Sequence, residues 1–476
     1  MYKKDDVVEV LISDMGNEGE GIGKIDSFPF FIKNAIPGDR VRAKVMKVKK
    51  SYAYARLLEI LEESAHRVNP VCSVARPCGG CQLQAMEYGQ QLSFKERKVF
   101  NNLVRLGGIE REYLKKIFEP IIGMDTPYRY RNKAQYPVSK NKEGRLVAGF
   151  YAGRSHSVID CRDCHIGPEC HGQILDAVLS WMEKNKIDSY DERTGGGIVR
   201  HILIRQGFAT GEVMVCLVVN RDIKAFEKNC AGLIEALREL ELGEQEGHKN
   251  TLVSIMLNEN RRQTNVILGE KCISIFGKEY IEDIICKNRF RVSPLSFYQV
   301  NHSQAERLYE TAMEFAKLQG DEQVWDVCCG IGTITLRAAA ELEGKKGKGI
   351  VHGIEIVPQA IRDAKENAAL NNFENVDFVC AAAEEYFPAN KGKLSADLVI
   401  LDPPRKGMDE RALQVIADLG VPRIVYISCD SATLARDVKF LTSAGYSLQR
   451  VRPCDMFPQS VHVESVVLLK RVEEEA

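Results

Sequence analysis

The stretch VWDVCCGIGTITLRAAA, residues 324–340, decides the fold class. An apolar run ends near Asp326, glycines at 330 and 332 open a tight loop, and a helix-forming run follows at once. Glycine lets backbone N–H groups approach a ligand with no Cβ in the way, and the next helix presents unsatisfied donors at its N-terminus. The alternation repeats downstream in GIVHGIEI, AIRDAKENAAL, VDFVC, ADLVILD and RIVYISC. Strands alternating with helices predict a doubly wound, Rossmann-like α/β sheet from about residue 286 onward. SLQRVRPCDMF and HVESVVLLKRV read as a closing strand pair.

Ligands of such sheets gather at the carboxyl ends of the strands. Glu355 ends GIVHGIEI, one strand–helix unit after the glycine loop, where a carboxylate can accept both hydroxyls of a ribose. The loop is GxG rather than GxGxxG, which favours S-adenosylmethionine over a dinucleotide. Asp402-Pro403-Pro404-Arg405 closes ADLVIL, and its prolines stiffen the backbone beside a bound methyl donor. Methyltransferases acting on the amino group of adenine carry an aromatic where Arg405 stands, so arginine argues against that chemistry.

Cys429 ends the next strand, with a helix starting near Ser431. A cysteine at a helix N-terminus can have its thiolate favoured, although a cysteine alone more often reads as a buried thiol. Carbon 5 of uracil is a poor nucleophile until a thiolate adds at carbon 6 and makes an enolate. A base must then remove the carbon-5 proton so that the thiolate leaves. Glu464, in HVESVVLL, is the candidate base; taken singly it would read as a surface carboxylate.

Residues 1–62 read as short strands with glycine and Pro37-Gly38-Asp39 turns, predicting a small OB-like barrel. In RVRAKVMKVKK, residues 40–50, Arg40, Arg42, Lys44, Lys47, Lys49 and Lys50 face no acidic neighbour within the run, and Tyr52 and Tyr54 follow. Such a face suits phosphate contacts and base stacking; a solvated outer face is the plainer reading. Between 63 and 285 the pattern is mixed α+β. There Cys72, Cys78 and Cys81 have the spacing C-x5-C-x2-C, and Cys161 and Cys164 follow in VIDCRDCHIG. Four thiolates could hold zinc or an iron–sulfur cluster equally well by spacing. Arginines and tyrosines alternate in Tyr128–Lys133, and Arg200-His201 follows Gly197; both suit RNA contacts or a charged edge strand.

The 476 residues, 45% of them hydrophobic, allow two or three domains with a sizeable core. The opening MYKKDDVVEV lacks the apolar run of a secretory leader, and no run of about 18 apolar residues occurs, so a cytoplasmic protein is expected. Fifteen cysteines are then thiols, ligands or nucleophiles rather than a disulfide framework. A net charge of -1 means that any nucleic-acid role must rest on local basic stretches.

SFYQVN, DVCCGIGTITL, GIEI, DPPRKG, YISCD and HVESV match, in order, the RNA uridine-5 methyltransferase family, and the chain resembles it over nearly its whole length. GNEGEGIGKID and AIPGDRVRAKV resemble the TRAM domain, a small RNA-binding barrel. The resemblance implies S-adenosylmethionine contacts from Gln299, Cys328, Glu355 and Asp402, with Cys429 as nucleophile and Glu464 as base. Cys328 departs from the pattern, since members often carry an aromatic there. The TRAM-bearing branch implies a 4Fe-4S cluster on Cys72, Cys78, Cys81 and Cys164, with Cys161 competing for the last place. It also implies 23S ribosomal RNA, rather than transfer RNA, as substrate. Nothing in the sequence demands more than a monomer. The domains expected are a TRAM barrel at 1–62, a central RNA-binding domain with the cysteines at 63–285, and a methyltransferase domain at 286–476. Two alternatives are an RNA cytosine-5 methyltransferase, which would need a second cysteine beside Pro403-Pro404, and a non-catalytic iron–sulfur RNA-binding protein.

Overall fold

A computed structural model describes residues 2–153, 155–390 and 394–472. The chain opens with β1 (Val7–Met15), β2 (Gly21–Ile25), β3 (Phe28–Lys33), β4 (Arg40–Val48) and β5 (Ala53–Glu62), which close into a barrel in the order β1-β2-β3-β5-β4. Alternation turns Val8, Val10 and Ile12 of β1 and Val41, Ala43 and Val45 of β4 into its core. Gly23 is required on β2, because a Cβ there would stand 2.4 Å from Val10 Cγ2 and 2.5 Å from the Leu11 carbonyl oxygen.

The basic run of β4 is not unopposed. Its cross-strand partners supply acids: Arg42 pairs with Glu9 of β1 at 2.9 Å and Glu59 of β5 at 2.8 Å. Lys44 pairs with Asp5 at 2.9 Å and Arg40 with Glu62 at 3.5 Å. Strand neighbours come from elsewhere in the chain, so the linear reading misses them. Among the described residues Lys47, Lys49 and Lys50 remain without an ion pair.

Helices α1 (Tyr88–Arg105) and α2 (Arg111–Ile117) come next, followed by β6 (Lys133–Lys140), β7 (Leu146–Tyr151), β8 (Val158–Asp160) and α3 (Cys170–Lys184). Then follow β9 (Val199–Gln206), β10 (Glu212–Val219), α4 (Ile223–Phe226), α5 (Ala231–Arg238), a small hairpin of β11 (Glu244–Gln245) and β12 (His248–Lys249), β13 (Thr251–Glu259) and β14 (Lys271–Gly277). Seven strands form one sheet, β14-β13-β10-β9-β6-β7-β8, with α3, α4 and α5 packed on one face. The hairpin of β15 (Ile281–Ile285) and β16 (Asn288–Val292) leads into the last part.

That part holds α6 (His302–Ala316), β17 (Gln323–Val327), α7 (Thr333–Gly344), β18 (Ile350–Glu355), α8 (Pro358–Leu370), β19 (Val376–Cys380) and α9 (Ala383–Ala389). It ends with β20 (Leu398–Leu401), α10 (Glu410–Asp418), β21 (Arg423–Ser428), α11 (Ser431–Ser443), β22 (Tyr446–Cys454) and β23 (Glu464–Arg471). The sheet order is β19-β18-β17-β20-β21-β23-β22, parallel from β19 to β21, with β23 and β22 antiparallel. The chain runs outward from β17 to β19 and then restarts at β20 on the other side of β17. This reversal opens a crevice at the carboxyl ends of β17 and β20. Helices α6, α7 and α8 cover one face. The other is covered by α10 and α11 together with α1 and α2, whose Val99, Leu103 and Leu114 are fully buried there. No helix of the described residues is long and apolar enough to cross a membrane.

Candidate active site

The crevice is lined by the loop after β17. Asp326 is buried, and Thr335 Oγ1 donates to its Oδ2 at 2.6 Å, tying the first turn of α7 to the strand. Cys328, Gly330 and Gly332 all have positive φ, at 68°, 55° and 87°, which curls the backbone around an open space. For Cys328 this is a strained conformation without glycine's freedom. Glu355, at the end of β18, faces the loop: its Oε2 accepts from Gly330 N at 3.3 Å and its Oε1 from Val357 N at 3.0 Å. Each oxygen keeps a lone pair for a further donor, as ribose binding requires. Ile356 and Val357, 67% and 49% exposed, leave an apolar surface beside it, as does Phe297, 66% exposed, near Gln299. Composition does not distinguish these three from core residues; only their exposure at the carboxyl edge does.

Gln299 is buried in a loop that the central sheet holds. Asn132 Nδ2 donates to the Gln299 carbonyl oxygen at 2.9 Å, and Arg205 donates to the carbonyls of Pro294 and Ser296.

Strands β21 and β23 bring the two reactive candidates together. Ser428 and Ser465 are register partners, so Cys429, one residue past Ser428, stands opposite Glu464. Asp402 lies at the end of the neighbouring β20. Burial pushes Glu464 up to about 8, with Asp402 adding to the effect and Arg405 opposing it. Asp402 is raised to about 7 by burial and by Asp326. The Glu464 carboxyl has no hydrogen-bond partner among the described residues.

The Cys429 thiol is pushed up to about 12, first by burial and then by Glu464 and Asp402, against Arg405. The expectation that a helix N-terminus favours its thiolate therefore fails at rest. Helix α11 begins at Ser431, but the Asp430 side chain already accepts from Ala432 N at 2.9 Å and Thr433 N at 3.2 Å, so the helix end is occupied by its own cap. Arg405 is exposed and is the positive group acting on both Cys429 and Glu464. Its signal in the sequence was its place in DPPR. His462 is held below the usual range, at about 4, by burial and by Arg405, Lys98, Lys95 and Arg131.

Residues 267–472 match the family described as tRNA (Uracil-5-)-methyltransferase, and residues 4–58 match the TRAM domain. An uncharacterized RNA methyltransferase of Clostridium tetani is 45% identical over 98% of this chain and 97% of its own length. Another, from Clostridium acetobutylicum, is 42% identical over 99% and 98%. The chain belongs to the RNA uracil-5 methyltransferase family. The crystal structure of Pyrococcus abyssi tRNA (uracil-54, C5)-methyltransferase in complex with S-adenosyl-L-homocysteine matches it with a TM-score of 0.75 at 25% identity, covering 97% of this chain and 99% of that one. This uracil-5 methyltransferase thus has the S-adenosylmethionine-dependent fold and the TRAM barrel that its sequence predicts.

The segments expected to bind RNA fall into two groups. Tyr130 of the methyltransferase is buried and donates to the Pro458 carbonyl at 3.0 Å, so its ring is not free to stack on a base. Arg200 lies over the Tyr190 ring at 4.3 Å and donates to the carbonyls of Asn260 and Arg262. Arg129 is engaged with Asp163 at 2.6 Å. Among the described residues the side chains of Tyr128 and Arg131 have no hydrogen-bond or ion-pair partner.

Cys72, Cys78, Cys81, Cys161 and Cys164 share one neighbourhood, each thiol feeling the charge of others. Among the described residues no group of three or more His, Cys, Asp or Glu side chains is arranged to hold a metal ion. Within the pair, a hydrogen bond from Cys161 and the N–H groups of Ile166 and Gly167 favour the thiolate on Cys164, while Cys161 is held as a thiol.

Proposed function

We propose that the enzyme methylates carbon 5 of a uridine in 23S ribosomal RNA through a covalent adduct at Cys429. The single observation that supports this most is the register that sets Cys429 opposite Glu464 at the carboxyl edge, beside the crevice between β17 and β20. Gln299, Cys328, Glu355 and Asp402 would hold S-adenosylmethionine, which supplies an electrophilic methyl group when bound. Cys429 must pass its proton to solvent before its sulfur bonds to carbon 6, and Arg405 favours that loss; as the bond forms, the carbon 5–carbon 6 double bond opens and its electron pair makes carbon 5 the nucleophile of an enolate. Once the methyl is on carbon 5, Glu464 takes the proton from that carbon, the carbon 5–carbon 6 double bond re-forms and the carbon–sulfur bond breaks. Glu464 therefore has to be ionised at that stage, and Arg405 favours its ionisation too.

Four thiols in one neighbourhood are the donor set of an iron–sulfur cluster, and we assign Cys72, Cys78, Cys81 and Cys164 to it, with Cys161 beside them as the competing ligand. The cluster would staple residues 72–81 to the loop at 161–164. On this reading the enzyme is a cytoplasmic monomer, with an RNA-binding barrel at 1–62, a central RNA-binding part at 63–285 and a methyltransferase domain at 286–476. A transfer-RNA substrate is the second reading, favoured by the likeness to the Pyrococcus abyssi enzyme. Mass-spectrometric mapping of 5-methyluridine in RNA from a deletion strain decides between them. Loss of the modification from 23S ribosomal RNA is expected, and loss confined to transfer RNA would overturn the first reading.

A further inference from the structure

Helix α1 carries a polar stripe where an apolar one would pack as well. Gln91, Lys95, Lys98 and Asn102 follow one another at spacings of four, three and four residues, which places them on one face. Three of them grip the loop that joins β22 to β23. Gln91 exchanges two hydrogen bonds with Gln459, at 3.0 and 3.1 Å. Lys95 Nζ donates to Asp455 Oδ1 at 2.5 Å and to the Phe457 carbonyl at 3.0 Å, and both side chains of that ion pair are 0% exposed. Lys98 Nζ donates to the Val461 carbonyl at 3.1 Å. The loop closes on the register pair Cys454 and Glu464, so its shape sets the strand end from which Glu464 projects. The fourth residue, Asn102, donates from Nδ2 to Ser431 Oγ at 2.8 Å, two residues beyond Cys429.

Gln459 shows how firmly the loop is held. Its φ is +69°, a left-handed conformation in a residue other than glycine, and its carbonyl accepts from Gln82 N and Leu83 N at 3.0 and 2.9 Å. Burying a charged pair is a poor way to gain stability, because an apolar pair of similar volume seals an interface at no desolvation cost. What the charges add is a fixed geometry.

We propose that α1 is a positioning element of methyl transfer, Lys95 setting the loop that ends in Glu464 and Asn102 setting the turn that carries Cys429. The inference rests on the assignment of Cys429 and Glu464 made above. Positions 95 and 102 are about 10 Å apart along the helix at 1.5 Å per residue, so one rigid rod spaces the two reactive groups.

The test uses the full chain, with an RNA transcript that the wild type methylates. The double variant Lys95→Met/Asp455→Asn removes both charges, while the amide oxygen introduced at position 455 keeps an acceptor for Tyr88. Its melting temperature and S-adenosylmethionine affinity should stay near wild type, kcat should fall at least tenfold with KM unchanged, and a methylated RNA–protein adduct should accumulate on a denaturing gel. Asn102→Ala removes one half-buried amide and leaves the apolar residues of α1 in place. It should lower kcat without accumulating adduct, because attack rather than release is slowed, and Asn102→Asp, which still bonds Ser431, should recover most of the loss. Values of kcat within twofold of wild type for both variants, or losses confined to KM or to melting temperature, would overturn the proposal. Glu464→Gln runs beside them: if it accumulates no adduct, the assignment of the base fails, while positioning is still judged on kcat at constant stability and affinity.

Discussion

Asp455 and Glu464 lie nine residues apart, are both buried, and are treated in opposite ways. Asp455 is met by the Lys95 ammonium at 2.5 Å and by the Tyr88 hydroxyl, which donates at 2.9 Å. The Glu464 carboxyl has no hydrogen-bond partner among the described residues, and its proton affinity rises with its burial, to about 8. A buried carboxylate that is fully matched is inert and fixes geometry. One left unmatched holds its proton near neutrality and can exchange it. One loop thus ties a matched acid to an unmatched one.

The largest effect should come from changing the unmatched acid. Glu464→Gln is expected to lower turnover by about 10²–10⁴-fold, the usual worth of a general base, and to leave methylated RNA bonded to Cys429. Cys429→Ser should yield neither product nor adduct. Steady-state turnover with 5-methyluridine analysis measures both, and near-normal turnover of the glutamine variant would remove Glu464 from the mechanism.

Changing the matched acid's partner should instead cost stability. Lys95→Met leaves Asp455 buried without its counter-charge, a defect worth about 3–5 kcal/mol. Urea unfolding followed by far-UV circular dichroism reads it, and an unchanged midpoint would mean that water reaches Asp455.

The third effect is a pH dependence. Glu464 at about 8 and Asp402 and Asp326 at about 7 all lie above their ordinary values of 4.5, 3.8 and 3.8. Groups whose affinity is raised by folding contribute stability that is complete below the unfolded values and is lost as pH climbs through the folded ones. The melting temperature should therefore fall between pH 5 and pH 9, by about 2–4 °C for each kcal/mol lost, and fall less in Glu464→Gln. A flat profile would show that the three acids share their burial with water.

The smallest effect concerns the barrel, where the same contrast of matched and unmatched charge recurs on lysines. Lys47→Gln and Lys49→Gln should each reduce the salt dependence of RNA binding by about 0.7 in the logarithmic slope, whereas Lys44, already paired with Asp5, should contribute less. Equal slopes for all three variants would contradict the distinction.

The sequence made the catalytic sheet legible because its signals are local. Gly330 and Gly332 announce the loop, Glu355 and Asp402 end their strands, and Cys429 sits where a strand meets a helix. What stayed hidden depends on residues far apart in the chain. Glu9 and Glu59 neutralise Arg42 across two strand pairings, and Tyr130 is sealed by Pro458 more than 300 positions later. The protonation of Cys429 is of the same kind, since Glu464 and Asp402 reach it only through the fold of the sheet.

The placement of α1 has a consequence for synthesis. Tyr88 and its partner Asp455 are separated by 367 residues, so α1 leaves the ribosome long before the strand and loop that cover it exist. At about 5–20 residues per second the wait is roughly 20–70 s, during which Val99 and Leu103, destined for full burial, have no native cover. A nascent chain of this length therefore carries a sticky helix through most of its translation, and its yield in cells should depend on holdase chaperones more than its final stability would indicate.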